Sequence, residues 1–206
     1  MKYFPLLFLL CTFSASCQQQ IPVDDIEQLP IFAEADEAFK EVYKPLDGKW
    51  KGDFLIYEDT VRGGIDENRL YQLDTLSLKH PSLKLSNSIQ VEQQYESLSP
   101  YFQTVTITDF YPDQSKTVTS KGVNKVQDGK MWCVVRKPDE TVIHEGSTDG
   151  PSTIIWQRDL KEPTRKEYFY ETVRADTYEI IGWGYYDGDD VTQMPKYWFY
   201  GAYKRQ

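Results

Sequence analysis

Gly48-Lys49-Trp50-Lys51-Gly52-Asp53-Phe54-Leu55-Ile56-Tyr57 alternates from end to end. Trp50, Gly52, Phe54 and Ile56 fall on one side, and Lys51, Asp53, Leu55 and Tyr57 on the other, the two-residue repeat of a pleated strand. Similar short runs follow at 70–78, 88–97, 102–110, 117–126, 131–136, 141–144, 153–158, 166–174, 177–186 and 197–203. Most are rich in Val, Ile, Thr, Tyr, Phe and Trp, the residues that pleated surfaces favour. Turn chemistry separates them: Asp128-Gly129, Pro138-Asp139, Asp149-Gly150-Pro151, Ala175-Asp176 and Asp187-Gly188. Roughly ten strands joined by hairpins read as an all-β domain, a single antiparallel up-and-down barrel whose closure removes exposed edges. A two-sheet β-sandwich is the alternative. Upstream, Pro30 and the apolar spacing of Ile31, Ala35, Phe39 and Val42 predict one N-terminal helix, stopped by Pro45 and Gly48.

Leu46-Asp47-Gly48-Lys49-Trp50-Lys51-Gly52 resembles the Gly-x-Trp opening of the lipocalin and calycin barrels, including nitrobindin-like ones. The resemblance implies a calycin-like barrel in which Trp50 plugs one end and a basic residue, Lys204 or Arg205, packs over it. Thr108-Asp109-Phe110 is similar to the lipocalin Thr-Asp-Tyr loop. A nitrobindin-like haem site would need a histidine near the end of the chain; none follows His144, and no cofactor is expected.

The beginning of the chain speaks to location. Lys2, an apolar run from Tyr3 to Phe13 and then Ser14-Ala15-Ser16-Cys17 make a secretory signal peptide over residues 1–16. Small residues directly before Cys17 resemble a bacterial lipobox, with Ser14 where Leu is usual, so Cys17 is the expected site of lipidation. Acyl chains contribute about 0.8 kcal/mol per buried methylene, enough for several chains to hold a domain on a membrane. Residues 17–28 then form a polar, acidic tether, and residues 29–206 the barrel domain with its helix. An ordinary signal peptide, with Cys17 beside the cut by accident, is the rival reading. The expected location is the bacterial cell envelope, in contact with a membrane through the lipid anchor and more often the outer one.

Composition narrows the function classes. Without residues 1–16 the chain carries 22 basic and 32 acidic residues, a net charge of −10. Such a domain is repelled by phosphate backbones, so nucleic acid is not an expected partner. One thiol beyond Cys17, Cys133, with two histidines, His80 and His144, cannot make a Cys/His zinc cluster, and no metal is expected. No Gly-x-Ser-x-Gly elbow or Gly-rich phosphate cradle occurs, and no catalytic residue is named. The acidic run Asp187-Gly188-Asp189-Asp190 reads as a solvated turn.

What remains is the aromatic C-terminal third. Tyr168, Tyr170, Trp198 and Tyr200, with Trp50, are the expected lining of a cavity for a small apolar or amphipathic ligand. Arg174 would anchor a polar group at the rim, and Gly182 and Gly184 would leave room inside. This places Tyr168 and Tyr170 inward, because two inward carboxylates, Glu167 and Glu171, would be costly unless paired. The opposite phase puts a buried acid inside the barrel, able to do acid–base chemistry. A cavity enzyme is therefore the second reading, and a barrel filled with side chains that serves structure or interaction is the third.

Overall fold

The structure, a computed structural model, describes residues 28–206 apart from 76 and 162–163. Ten antiparallel strands form a closed barrel: β1 (Gly48–Asp59), β2 (Leu83–Ser99), β3 (Phe102–Tyr111), β4 (Lys116–Gln127), β5 (Lys130–Arg136), β6 (Thr141–Thr148), β7 (Thr153–Leu160), β8 (Arg165–Arg174), β9 (Thr177–Tyr185) and β10 (Tyr197–Arg205). Each strand pairs with its neighbour in sequence, and β10 returns to β1 with Trp50 opposite Arg205 and Glu58 opposite Tyr197. This is the up-and-down barrel that the alternation predicts, and the sandwich alternative is excluded. Among the described residues, no helix is long and apolar enough to cross a membrane.

The run at 70–78 is the exception among the expected strands. It falls in the long β1–β2 connection, which holds the short helix α1 (Glu67–Tyr71) and a 3-10 turn, Ser77–Lys79. The Asp66 carboxylate caps α1 by accepting from the Asn68 and Arg69 amides at 3.1 and 3.3 Å. Thr108-Asp109-Phe110 lies within β3 rather than in a loop.

The predicted N-terminal helix is also corrected. Two 3-10 turns, Glu34–Phe39 and Lys44–Leu46, stand there, separated by Glu41 in the left-handed region at φ 57°. Ile31 is 89% exposed and Ala35 lies in solvent, so the expected apolar stripe covers nothing at its first two positions. The buried residue is Asp36, whose carboxylate accepts from Ala33 N at 2.8 Å and from Gly129 N at 2.6 Å. An acid holding two backbone amides fixes a tight turn against the β4–β5 hairpin, and the helical spacing is overridden. Downstream, Tyr43 and Leu46 enter the barrel end, with the Tyr43 ring stacked 6.2 Å from Trp156 and its hydroxyl donating to Lys125 O at 3.0 Å.

Trp50 sits at this same end and is 1% exposed. Its indole N–H donates to Leu46 O at 2.7 Å, and the Arg205 guanidinium lies 4.1 Å over its ring. Arg205 also donates to the carbonyls of Asp47 and Pro45, tying the last strand to the segment before the first. The expected cover on Trp50 is therefore Arg205.

Candidate functional site

Strand register fixes which side chains face inward. Trp50, Phe54 and Ile56 of β1 share the interior with Val91, Gln93 and Tyr95 of β2, and with Ile154 and Trp156 of β7. Across the β7–β8 pairing Ile154 is opposite Glu171, Trp156 opposite Phe169 and Arg158 opposite Glu167. On β8 the inward residues are thus Glu167, Phe169, Glu171 and Val173.

Tyr168 and Tyr170 consequently point outward, against expectation, and the same holds for Trp198 and Tyr200 on β10. Tyr168 stacks on Trp183 at 5.5 Å, in an outer cluster with Leu70, Tyr185, Met194 and Trp198. Trp198 is fully buried there, its N–H donating to Pro195 O at 3.0 Å with Arg69 4.6 Å over its ring. Tyr170 donates to Asp149 at 2.9 Å and Tyr200 to Glu179 at 3.0 Å. Arg174 is exposed on this outer face. The β1–β2 connection lies over these strands, so they bury aromatics on the outside as well as the inside. Of the expected lining only Trp50 is internal, and it plugs one end.

Gly182 and Gly184 do face inward, but their space is taken. A Cβ at Gly182 would meet the Phe169 ring at 2.6 Å, and one at Gly184 the Tyr186 ring at 3.0 Å. Phe54 on β1, Phe199 on β10 and Phe169 on β8 stack along one side of the interior at 5.7 and 5.6 Å, and His144 meets Phe169 edge-on at 5.6 Å. This aromatic layer lies between the two ends of β8, with Phe169 between Glu167 and Glu171.

The half beyond it, away from Trp50, holds Glu167. Its carboxylate meets His144 Nε2 at 3.1 Å and Arg158 at 3.6 Å, and accepts from the Tyr186 hydroxyl at 3.0 Å. Burial by itself would raise the Glu167 carboxyl, but His144, Arg158 and Tyr186 outweigh it and hold the group down at about 2. Every polar group in this cluster faces another.

The half on the Trp50 side holds Glu171. The Tyr178 hydroxyl donates to Glu171 Oε2 at 2.7 Å, and the Trp156 indole is a second donor. Burial dominates nonetheless and pushes the carboxyl up to about 7. Tyr95, Tyr178 and Tyr203, all near Glu171, have hydroxyls raised by burial, and the Cys133 thiol is raised in the same way.

Two spaces meet at this carboxyl. A cavity of about 100 Å³ inside the barrel is lined by Glu171, Gln93, Tyr95, Asn124, Cys133 and Trp156. A cleft of about 280 Å³ runs between the N-terminal segment and the β6–β7 hairpin, past Val42, Leu46, Thr148 and Thr153, and also reaches Glu171. Neither space matches the expected tyrosine-lined cavity of more than roughly 300 Å³. Gln93, Asn124 and Glu171 have no motif signature. Only the alternation of Glu167 and Glu171 in the sequence pointed toward them, in the phase that patterning disfavours.

The acidic turn spends its carboxylates on its own backbone. Asp189 accepts from Tyr186 N at 2.7 Å, and Asp190 from Thr192 N at 2.9 Å. Among the described residues, no cluster of His, Cys, Asp and Glu could hold a metal ion.

Solved structures match the chain at low similarity. The chain resembles that of Rv2717c from M. tuberculosis at 15% identity and a TM-score of 0.48, over 85% of this chain and 99% of that one. A redesigned β-barrel, b11L5F_LGL, matches at 12% identity and a TM-score of 0.36, over 81% of this chain and 96% of that one. EF1p2_mFAP2b, solved bound to DFHBI, matches at 12% identity and a TM-score of 0.41, over 82% and 99%. No protein-family profile matches the chain, and no curated protein matches it.

Proposed function

We propose that this protein is a binding barrel for a small amphipathic molecule, held at a membrane of the bacterial cell envelope by a lipid on Cys17. The observation that carries the binding half is Glu171, a carboxyl deep in a barrel yet reached by both an outward-opening cleft and an interior cavity. A buried acid without a full ion pair is costly to a fold, and a ligand offsets that cost. The ligand is smaller than the aromatic lining of the sequence suggested, with its polar end at Glu171 and its apolar part along Val42, Leu46 and Val173.

The lipid half rests on Ser14-Ala15-Ser16-Cys17 and the polar tether after it, which lie outside the described residues. Changing Cys17 to Ser should move the protein out of the membrane fraction. Retention there with an unmodified Cys17 would overturn the anchor. Native mass spectrometry of the purified protein should show a retained small molecule that is lost from Glu171→Gln. A retained molecule that persists in that variant would refute the site.

One observation favours a second reading, an enzyme. A carboxyl that titrates near neutrality beside a tyrosine hydroxyl suits general acid–base chemistry. Recovery of a molecule chemically altered by the wild type and unaltered by Glu171→Gln would move this reading to first place.

A further inference from the structure

We infer that the space beside Glu171 is a site for a small primary amine, bound as its ammonium ion with its carbon chain in the cleft. The inference rests on the reading of the barrel as a small-ligand binder, and adds the ligand's chemical class.

The first argument is a count of hydrogen-bonding roles around the cavity. Three of the donors around it are already committed to protein acceptors. Tyr178 donates to Glu171, Tyr95 to Gln93 Oε1 at 2.8 Å, and Asn124 Nδ2 to Gln103 Oε1 at 2.9 Å. The Asn124 orientation is dictated from behind. The Gln103 amide nitrogen donates to Tyr43 O at 2.8 Å and Asp47 Oδ1 at 2.9 Å, so its oxygen must face the Asn124 nitrogen. The acceptors, in contrast, are not exhausted. Asn124 is 2% exposed, and its Oδ1 has no hydrogen-bond partner. Glu171 takes the Tyr178 hydroxyl and the Trp156 indole, two donors for the roughly four lone-pair positions of a carboxylate. A ligand that completes Asn124 Oδ1 must therefore bring a donor, and an ammonium group brings three.

The second argument concerns charge and walls. The rings of Tyr95, Trp156 and Tyr178 line the cavity, and aromatic faces attract a desolvated cation. An anion would meet the ionised Glu171 carboxylate and the Asn124 Oδ1, both of the wrong sign. The third argument is size. A cavity of about 100 Å³ takes an ammonium head with little else, and the adjoining cleft of about 280 Å³ takes a short chain.

Proton linkage follows. Tyr178, Tyr95, Tyr203 and Cys133 face Glu171 from β9, β2, β10 and β5, all raised by burial and so uncharged at neutral pH. Lys40 and Glu41 stand at the cleft with opposite charges. Among these groups Glu171 is thus the one that changes charge near neutrality. An alkylammonium ion, which keeps its own proton to about pH 10, displaces the carboxyl proton when it binds. Its affinity should rise about tenfold from pH 6 to pH 8, following the ionised fraction of a carboxyl near 7.

Calorimetric titration of the purified protein with butylamine, butanol and butyrate tests this directly. Butylamine should bind with proton release, more tightly at pH 8 than at pH 6, and at least tenfold more tightly than the other two. Glu171→Gln should abolish the pH dependence and weaken binding at least tenfold. Asn124→Leu should weaken binding and leave the pH dependence in place. Glu171→Gln removes a costly buried charge, so its folding is not at risk. Binding of butanol or butyrate in preference to butylamine would overturn the amine assignment while leaving the binding barrel intact. Silence from all three probes, with no molecule retained in native mass spectra, would overturn both.

Discussion

Glu167 and Glu171 stand on one face of β8, about 13 Å apart at 3.3 Å per residue, and their carboxyls are driven in opposite directions. Glu167 is held at about 2 by His144, Arg158 and Tyr186, whereas Glu171 is pushed to about 7 by burial that Tyr178 and Trp156 only partly offset. Depth does not separate them, since both lie inside the barrel. The partners do: one half of the interior supplies the Arg158 guanidinium beside His144, and the other supplies only neutral donors. A polar group in a barrel is structural when its neighbours complete it, and becomes a binding group when they leave it incomplete.

The largest effect should come from opening the Glu171 half at its plugged end. Trp50→Ala removes the indole held between Arg205 and Tyr178 and should cost about 3–5 kcal/mol in denaturant unfolding, as other large-to-small core changes do. A loss below 1 kcal/mol would mean that this end is not a packed plug.

Next come the two carboxyls themselves, which should shape opposite limbs of the stability–pH curve. The folded state keeps the Glu171 proton up to about pH 7, while the unfolded chain releases it near 4.5, so stability should fall as pH rises through that window. Glu171→Gln should abolish this limb and raise stability at pH 8 by roughly 2–3 kcal/mol. Glu167 acts in the other sense. Its contribution is present above about pH 4.5 and is lost as pH falls toward 2, because only the unfolded chain takes up the proton there. Glu167→Gln should flatten the acid limb and cost about 2 kcal/mol at pH 7, since Arg158 is left without its interior carboxylate. Urea titrations across pH 2–8 check both, and identical curves for the two variants would erase the contrast.

The smallest effect concerns the lid on the Glu171 half. Asp36→Ala frees the Ala33 and Gly129 amides and should cost about 1 kcal/mol, with faster hydrogen exchange at those two positions. Unchanged exchange at Gly129 would show that the N-terminal segment is held by Tyr43 and Leu46 alone.

The barrel was legible because nearly every strand repeats with period two, and Asp128-Gly129, both in the left-handed region at φ 54° and 69°, marks its hairpin plainly. Trp50 and its basic cover were legible from the Gly-x-Trp opening together with the charged chain end. The phase of β8 was not. Periodicity separates Tyr168 and Tyr170 from Glu167 and Glu171 but does not say which pair is inside. The usual guide, that the apolar side is the inner one, fails where Leu70, Leu73 and Leu78 cover the barrel's outer wall. Gln93, Gln103 and Asn124 were hidden for the related reason that polar residues on strands ordinarily face water. The 28–46 segment misled because one acid, Asp36, decides its turn, and an acid in an apolar spacing pattern reads as solvated.

The seam between β1 and β10 has a consequence for the order of synthesis. Trp50 is translated about three-quarters of the chain before Arg205, the residue that covers its ring and bonds the carbonyls beside it. The intervening hairpins can form locally as they emerge, but the sheet stays open-edged until β10 arrives. Closure then needs contact between residues separated by more than one hundred and fifty positions, such as the hydrogen bond from Arg205 to Asp47 O with its separation of 158, which makes it a slow, late event. Until β10 pairs with β1 two unpaired strand edges are exposed, so the chain is most exposed to aggregation before that pairing.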